Sequence, residues 1–340
     1  MKLRRPALAA ALALLAACNS SSGAATTPPV DPPPPLAPGP LFTGAVPWND
    51  PVDAAPLSDS STAMLDALES AGGWGMGNVL RIDFSLAVIP GDANSARVPL
   101  VKRSGYWAPD CDDLASFPLP AGGAAEGSSS YACSGGDCHV LVVDQDAGVL
   151  YESYISNQTS AGLQSRCAVA WDLGKDYGAT LRGDQCTSAD AAGLPMAALL
   201  FTADEVAAGS IDHAIRFILP NERMRAGVYV RPATHAGAPS GGDALPPYGT
   251  RLRLRADYPL DTLPSDGARV VAVALQRYGM VLADGGNMAL TAADDRFTAH
   301  GWDEVGIDTR SLAALSTGDF EVVDPGAEPI AITYDCVRVP

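Results

Sequence analysis

The segment VLVVDQDAGVLYESYI, residues 140–155, contains the pattern that decides the fold. Val140–Asp144 and Val149–Ile155 are short runs rich in apolar, β-branched and aromatic residues, which is typical of strands. Asp144–Gly148 lies between them and carries the Asp and Gly residues that favour turns. The segment therefore predicts two strands joined by a turn.

Strand-like segments of the same kind recur along the chain, whereas helical periodicity is rare. Helices are predicted near Asp59–Ala71, Thr202–Gly209 and Asp266–Tyr278, the last capped by Asp266. The further predicted strands are Arg97–Lys102, Cys167–Asp172, Ala214–Leu219, Gly227–Arg231, Arg251–Arg255, Met280–Ala283 and Ile330–Val339. Many short strands between Gly- and Pro-rich loops predict a mainly β fold, β-sandwich-like with α+β elements, as a single domain over residues 41–340.

The N-terminus has the pattern of a bacterial lipoprotein signal. Basic residues at positions 2, 4 and 5 precede an Ala/Leu run that ends in Leu15-Ala16-Ala17-Cys18. This predicts a signal peptide at 1–17, lipid attached to Cys18 and a Pro-rich, disordered tether at 18–40. Asn19 after the lipidated residue favours the outer membrane, to which the lipid would anchor the protein. The alternative is an ordinary secretory signal with a chance Cys.

The charge of the chain restricts its partners. Loss of the three basic signal residues leaves 19 basic against 39 acidic residues. This balance argues against nucleic acid, since phosphate contacts need a basic surface, and weakly disfavours polyanionic sugars. No phosphate-binding loop, dinucleotide turn, HExxH helix or GxSxG elbow is present, so we predict no cofactor. We expect a monomer whose partners are the membrane and a polysaccharide.

The cysteine count fits the predicted export. With Cys18 used for lipid, six cysteines remain, and an even count in an oxidising compartment predicts three disulfides. Cys133 and Cys138 resemble the two ends of a stapled hairpin, Cys167 and Cys186 are expected to pair, and Cys336 is expected to pin the last strand. A metal site is the alternative. The six are Cys111, Cys133, Cys138, Cys167, Cys186 and Cys336.

Five sequence blocks carry a resemblance to a known family. They are CTSADAAGLP (186–195), GSIDHAIRF (209–217), RPATH (231–235), LPPYGTRLRL (245–254) and GMVLADGG (279–286). Together they resemble a family of uncharacterised secreted bacterial proteins with SADAAGLP, HALRF, RH, LPPMG-RLRLK and YGM-DNG blocks in this order. The resemblance implies a secreted protein and no particular reaction. The chain departs from the family at Gly285, where Asn is frequent, and at Cys138, where Gly often precedes His.

Three histidines in or near these blocks are candidates for catalysis. His139 begins a predicted strand, His213 enters another, and His235 follows a third. Loops at strand ends are where sites are usually built, and His serves as acid, base or metal ligand near neutral pH. The alternative for each is a buried His that holds a loop, and a three-His metal site is a further alternative without helical spacing to favour it.

Three carboxylates complete the candidate site. Asp190 lies in a run of small residues, Glu152 has aromatic neighbours on its strand, and Asp284 follows a strand. Paired carboxylates catalyse glycoside hydrolysis, and aromatic faces stack on sugars. We therefore predict a carbohydrate-active enzyme, a glycoside hydrolase or polysaccharide lyase. Alternatively, Asp190 caps a helix, Asp284 forms a turn, and the protein is a non-catalytic glycan-binding or envelope-structural lipoprotein.

Overall fold

Short strands dominate the secondary structure. A computed structural model describes residues 33–339. The predicted signal peptide, the predicted lipid attachment at Cys18 and the predicted tether up to residue 32 lie outside the described residues. The described strands are β1 (Ile82–Leu86), β2 (Val88–Gly91), β3 (Arg97–Lys102), β4 (Ser116–Pro118), β5 (Val140–Asp144), β6 (Val149–Tyr154), β7 (Asn157–Thr159), β8 (Gly162–Ser165), β9 (Cys167–Asp172), β10 (Gly183–Asp184), β11 (Ile215–Leu219), β12 (Val228–Tyr229), β13 (Arg251–Leu254), β14 (Met280–Gly285), β15 (Leu290–Ala293), β16 (Phe320–Val322), β17 (Ile330–Ala331) and β18 (Val337–Arg338).

The helices are α1 (Ser61–Ser70), α2 (Gly75–Asn78), α3 (Ala203–Ala208) and α4 (Asp266–Arg277). Ser265, rather than the predicted Asp266, caps α4, because its backbone is extended and its hydroxyl accepts a hydrogen bond from the Ala268 amide. Asp266 is the first helical residue and pairs with Arg269. Thr202 and Glu205 form a reciprocal capping box at α3, and the left-handed Gly209 ends that helix.

The predicted pair of strands at 140–155 is confirmed and lies at the centre of the fold. β5 and β6 pair antiparallel from Val140–Ser153 to Asp144–Val149. All five residues of β5 are buried, and its side chains alternate between two hydrophobic clusters. Val140 and Val142 belong to one cluster, and Leu141 and Val143 belong to the other. A strand covered on both faces explains the continuous apolar run in its sequence.

The sheets stack on either side of this pair, so the mainly β, sandwich-like prediction is confirmed. The middle sheet has the order β2-β5-β6-β9. One cluster joins it to the sheet β4-β3-β8-β7 through Phe117 and Leu163, and the larger cluster joins it to the six-stranded sheet β1-β15-β11-β14-β13-β16. Helices α1 and α4 pack on that larger cluster. Among the described residues, no helix is long and apolar enough to cross a bilayer.

Three disulfides form, as predicted, but one predicted pairing is wrong. Cys133 bonds to Cys138, whereas Cys167 bonds to Cys111 and Cys186 bonds to Cys336. The amide of Asp112 donates to the Ala168 carbonyl, and this contact brings Cys111 to the start of β9. β10 pairs antiparallel with β18, which brings Cys186 to the C-terminal segment. These long-range contacts, rather than the short spacing from Cys167 to Cys186, decide the pairing.

Candidate functional site

A groove of about 850 Å³ holds three of the predicted site residues, Asp190, His235 and Asp284. A larger groove of about 1110 Å³ contains no predicted site residue. The half-buried Arg251 on its wall donates to the carbonyls of Pro47, Asp50 and Tyr278, so that side chain stabilises the fold. The smaller groove is therefore the candidate site.

Arg216 lies between the two carboxylates of this groove. Its Nε donates to Asp190 Oδ1 at 2.9 Å, and its Nη2 donates to Asp284 Oδ2 at 2.9 Å. Arg216 stands on β11, whose parallel pairing with β14 places Asp284 on the neighbouring strand. The sequence analysis did not single out Arg216. The available signal was one cationic residue within the apolar run IRFIL, because a buried cation needs an anionic partner nearby.

Asp190 reaches Arg216 from a tight turn. The predicted alternative, a helix capped by Asp190, is wrong: the Gly193 amide donates to the Asp190 carbonyl at 3.0 Å and the chain turns there. Gly193 has a φ of 78°, and a Cβ at this position would lie 2.2 Å from Thr234 Oγ1. Both the conformation and the close approach therefore require glycine. The Asp190 carboxylate is fully buried.

The two carboxylates compete for one cation. Burial, followed by the negative charge of Asp284, raises the pKa of Asp190 to about 7, against the attraction of Arg216. Burial also raises the pKa of Asp284. One positive and two negative charges become neutral when the pair holds a single proton. The side chain of Asp284 is 25% exposed and that of Asp190 is not, so Asp284 is the acid that faces the groove.

His139 lies behind the groove wall and does not line it. Its Nδ1 is 2.7 Å from Glu126 Oε2, and its Nε2 is 3.1 Å from the Ala189 carbonyl. Both partners are acceptors, so both ring nitrogens carry a proton. Burial lowers the pKa of His139, but the hydrogen bond and charge of Glu126 outweigh it and raise that pKa. The imidazolium thus fixes the carbonyl next to Asp190, which is a positioning role.

His235 differs from His139 because only one of its nitrogens has a partner. Its Nδ1 is 2.8 Å from the Ala191 carbonyl, which fixes the proton on Nδ1. Burial lowers the pKa of His235, so the neutral ring is favoured. Among residues 33–339, Nε2 has no hydrogen-bond partner. The ring meets Tyr334 edge-on at 5.5 Å between centroids. A neutral imidazole with an unoccupied lone pair at a groove can act as a base.

The other two predicted residues lie outside the groove. Glu152 is fully buried and accepts from the Trp171 indole at 3.1 Å and the Ala197 amide at 2.9 Å. Burial raises its pKa to about 7. His213 is buried between Glu205 Oε1, at 3.1 Å, and the Ala214 carbonyl, at 2.8 Å. Neither residue lines the groove, although Glu152 is close enough to Asp190 for the charge of Asp190 to contribute to its raised pKa.

Aromatic side chains form the walls of the groove. The rings of Trp107 and Tyr154 stack with centroids 5.4 Å apart, and Tyr334 is 61% exposed. Trp107 is the only one of the five tryptophans that is not buried. The sequence signal for Trp107 was its position in a loop. Tyr334 had no sequence signal, because its position depends on the Cys186–Cys336 bond.

Comparison with protein families, curated proteins and solved structures finds no match to this chain. The resemblance to the family of secreted bacterial proteins therefore stays a prediction. In the part of the chain that the structure describes, no three His, Cys, Asp or Glu side chains are arranged to hold a metal ion. His139, His213 and His235 each have the separate partners given above.

Proposed function

We propose that the groove binds a carbohydrate and hydrolyses a glycosidic bond in it. The observation that supports this most is the position of Asp284: a carboxyl group with a raised pKa faces a groove with aromatic walls. Exposed aromatic faces stack on sugar rings, and a carboxyl group with a raised pKa is the proton donor that glycoside hydrolysis needs.

In the proposed reaction, Asp284 donates its proton to the glycosidic oxygen while the bond to the anomeric carbon breaks. Nε2 of His235 takes a proton from a water molecule, whose oxygen bonds to that carbon. The products are two sugar chains, the Asp284 carboxylate and the His235 imidazolium, and a proton passing between them through solvent restores the site. Arg216 holds Asp284 and stabilises its carboxylate after the transfer.

One observation favours a non-catalytic glycan-binding protein instead. Both oxygens of Asp284 already accept hydrogen bonds, from the Gly285 amide at 2.7 Å and from Arg216 at 2.9 Å. A carboxylate held this way can serve to shape the groove. Mass spectrometry of glycans incubated with the protein separates the two functions, because hydrolysis adds one water to each bond cleaved and binding leaves the glycan intact.

We also infer that the protein works in the cell envelope, anchored by lipid on Cys18. The support is the Leu15–Cys18 motif and three disulfides, which form in oxidising compartments. Metabolic labelling with a fatty-acid analogue tests this: label on the wild type and none on Cys18→Ala supports the anchor. Label that persists in Cys18→Ala, or absent from both, contradicts it.

A further inference from the structure

Arg166 is the only Lys or Arg among the described residues that line the groove. It directly precedes β9, and its backbone is tied to two aromatic groove residues. Its amide donates to the Tyr154 carbonyl at 2.9 Å, and its carbonyl accepts from the Trp107 amide at 3.3 Å. The position of this side chain is therefore set by the same contacts that form the aromatic wall.

The guanidinium of Arg166 lies near the Trp107 ring and the backbone of Gly105. Its Cζ lies 5.9 Å from the centroid of the Trp107 ring, within reach of a cation–π contact. On another side, a Cβ added to Gly105 would lie 3.0 Å from Nη2. Gly105 has a φ of 75°, a backbone conformation that residues with a side chain rarely adopt. Because glycine has no Cβ, there is space for the guanidinium.

No residue that the structure describes accepts a hydrogen bond from this guanidinium or forms an ion pair with it. Nε is buried without a partner. By contrast, the buried Arg182 and Arg216 both bond to carboxylates. A buried donor without an acceptor costs free energy, so an acceptor supplied by a ligand would be favourable. The planar fork of Arg fits the two oxygens of a carboxylate.

The rest of the lining limits how much negative charge a ligand can bring. The other charged side chains in it are Asp110, Asp137, Asp190 and Asp284. These carboxylates disfavour an anionic ligand, and Arg166 is the one Lys or Arg in the described lining that favours it. We propose that Arg166 binds the carboxylate of a uronate unit in a glycan whose neighbouring units are neutral. This inference rests on the proposed function, because it names the substrate class of the same groove.

The test measures binding with uncleaved ligand. Titration calorimetry in the Asp284→Asn background uses oligosaccharides that contain one uronate, each paired with its carboxyl-reduced, neutral form. We expect an acidic member to bind about tenfold to a hundredfold more tightly than its neutral partner. Arg166→Gln should abolish this preference, Arg166→Lys should retain part of it, and the control Arg103→Gln, whose exposed side chain lies outside the lining, should leave it unchanged.

Three results would overturn the inference: no acidic member binds, the neutral partners bind equally well, or Arg166→Gln keeps the preference. The proposed function fails separately. An acidic glycan that the wild type and Arg166→Gln bind and cleave equally contradicts only the role of Arg166. An acidic glycan that binds through Arg166 but is never cleaved by the wild type contradicts only the hydrolysis. Thermal unfolding of each variant shows that it is folded before either conclusion is drawn.

Discussion

Asp190 and Asp284 each lie 2.9 Å from the same atom, Nη2 of Arg216. The two residues are far apart in sequence, and the pairing of β11 with β14 places Asp284 beside the arginine. Burial raises the pKa of both carboxyl groups, and the single guanidinium that they share only partly offsets it. We therefore expect the two carboxyl groups to share a proton at the groove.

Removal of Arg216 should destabilise the protein more than removal of either carboxylate charge. Arg216→Gln leaves the buried Asp190 and the half-buried Asp284 without a cation, and loss of one partner of a buried ion pair typically costs about 3–5 kcal/mol. Asp190→Asn still leaves Arg216 paired with Asp284 and should cost less. The free energy of unfolding in urea measures both. The exposed pair of Arg269 with Asp266 provides a control, since Arg269→Gln should cost at most about 1 kcal/mol. Equal losses for Arg216→Gln and the control would contradict the account.

The pH dependence of cleavage should show the proton held by this pair. With the pKa of Asp190 raised to about 7, the shared proton is lost as pH rises through that region, so kcat/KM should fall above about pH 7. Asp190→Asn removes the repulsion between the carboxylates and should lower the pKa of Asp284. The fall in kcat/KM with rising pH should then occur at lower pH. If kcat/KM of Asp190→Asn falls at the same pH as that of the wild type, Asp190 does not influence the proton donor.

The His139–Glu126 pair should stabilise the fold within a limited pH window. The pKa of His139 is raised, so its contribution is complete below the unfolded value near 6.5 and is lost as pH rises through the folded value. The pKa of Glu126 shifts in the opposite direction. Hydrogen bonding and charge from His139 overcome burial and lower its pKa to about 2, so its contribution is present above the unfolded value near 4.5 and is lost towards pH 2.

The difference in unfolding free energy between the wild type and Glu126→Gln should therefore be largest between about pH 4.5 and 6.5. Urea unfolding across this range measures it. Asp243→Asn is the matched control, because Asp243 is almost fully exposed beside Arg225 and exposed ion pairs contribute little to stability. If the difference for Glu126→Gln is equally flat, the pair is not charged as the hydrogen bonds imply.

The three disulfides should differ in their contribution to stability. Cys186–Cys336 joins residues 150 apart, and Cys133–Cys138 joins residues 5 apart. Loop-closure entropy makes the longer bridge worth about 5 kcal/mol and the shorter about 2 kcal/mol. Unfolding of the two double Cys→Ser variants measures the difference. A larger loss for Cys133–Cys138 would mean that chain entropy in the unfolded state does not decide the order.

Local sequence patterns were sufficient for much of the fold. The apolar, β-branched runs and the turn residues at 140–155 predicted β5 and β6, because strand pairing across a short turn depends on neighbouring residues. Thr202 and Gly209 marked the ends of α3 for the same reason. The Cys186–Cys336 bond depends on β10 meeting β18, and that contact has no local signature.

The candidate site was predicted in part. Asp190, His235 and Asp284 stand in distinctive blocks and converge, whereas Glu152 and His213 have similar signals and are buried elsewhere. Sequence gives the chemistry of a side chain but not which face of a strand or loop it occupies in a layered fold. Arg216 and Arg166 were missed because their roles depend on neighbours that come from distant segments.

The kcat/KM of Asp284→Asn on a glycan that the wild type cleaves tests the central claim most directly. Loss of the proton donor should lower it about 100-fold to 10,000-fold with the fold retained. Asp243→Asn is the control, since it changes an almost fully exposed carboxylate outside the groove and should keep activity within a few-fold. Wild-type activity in folded Asp284→Asn would contradict the proposed hydrolysis.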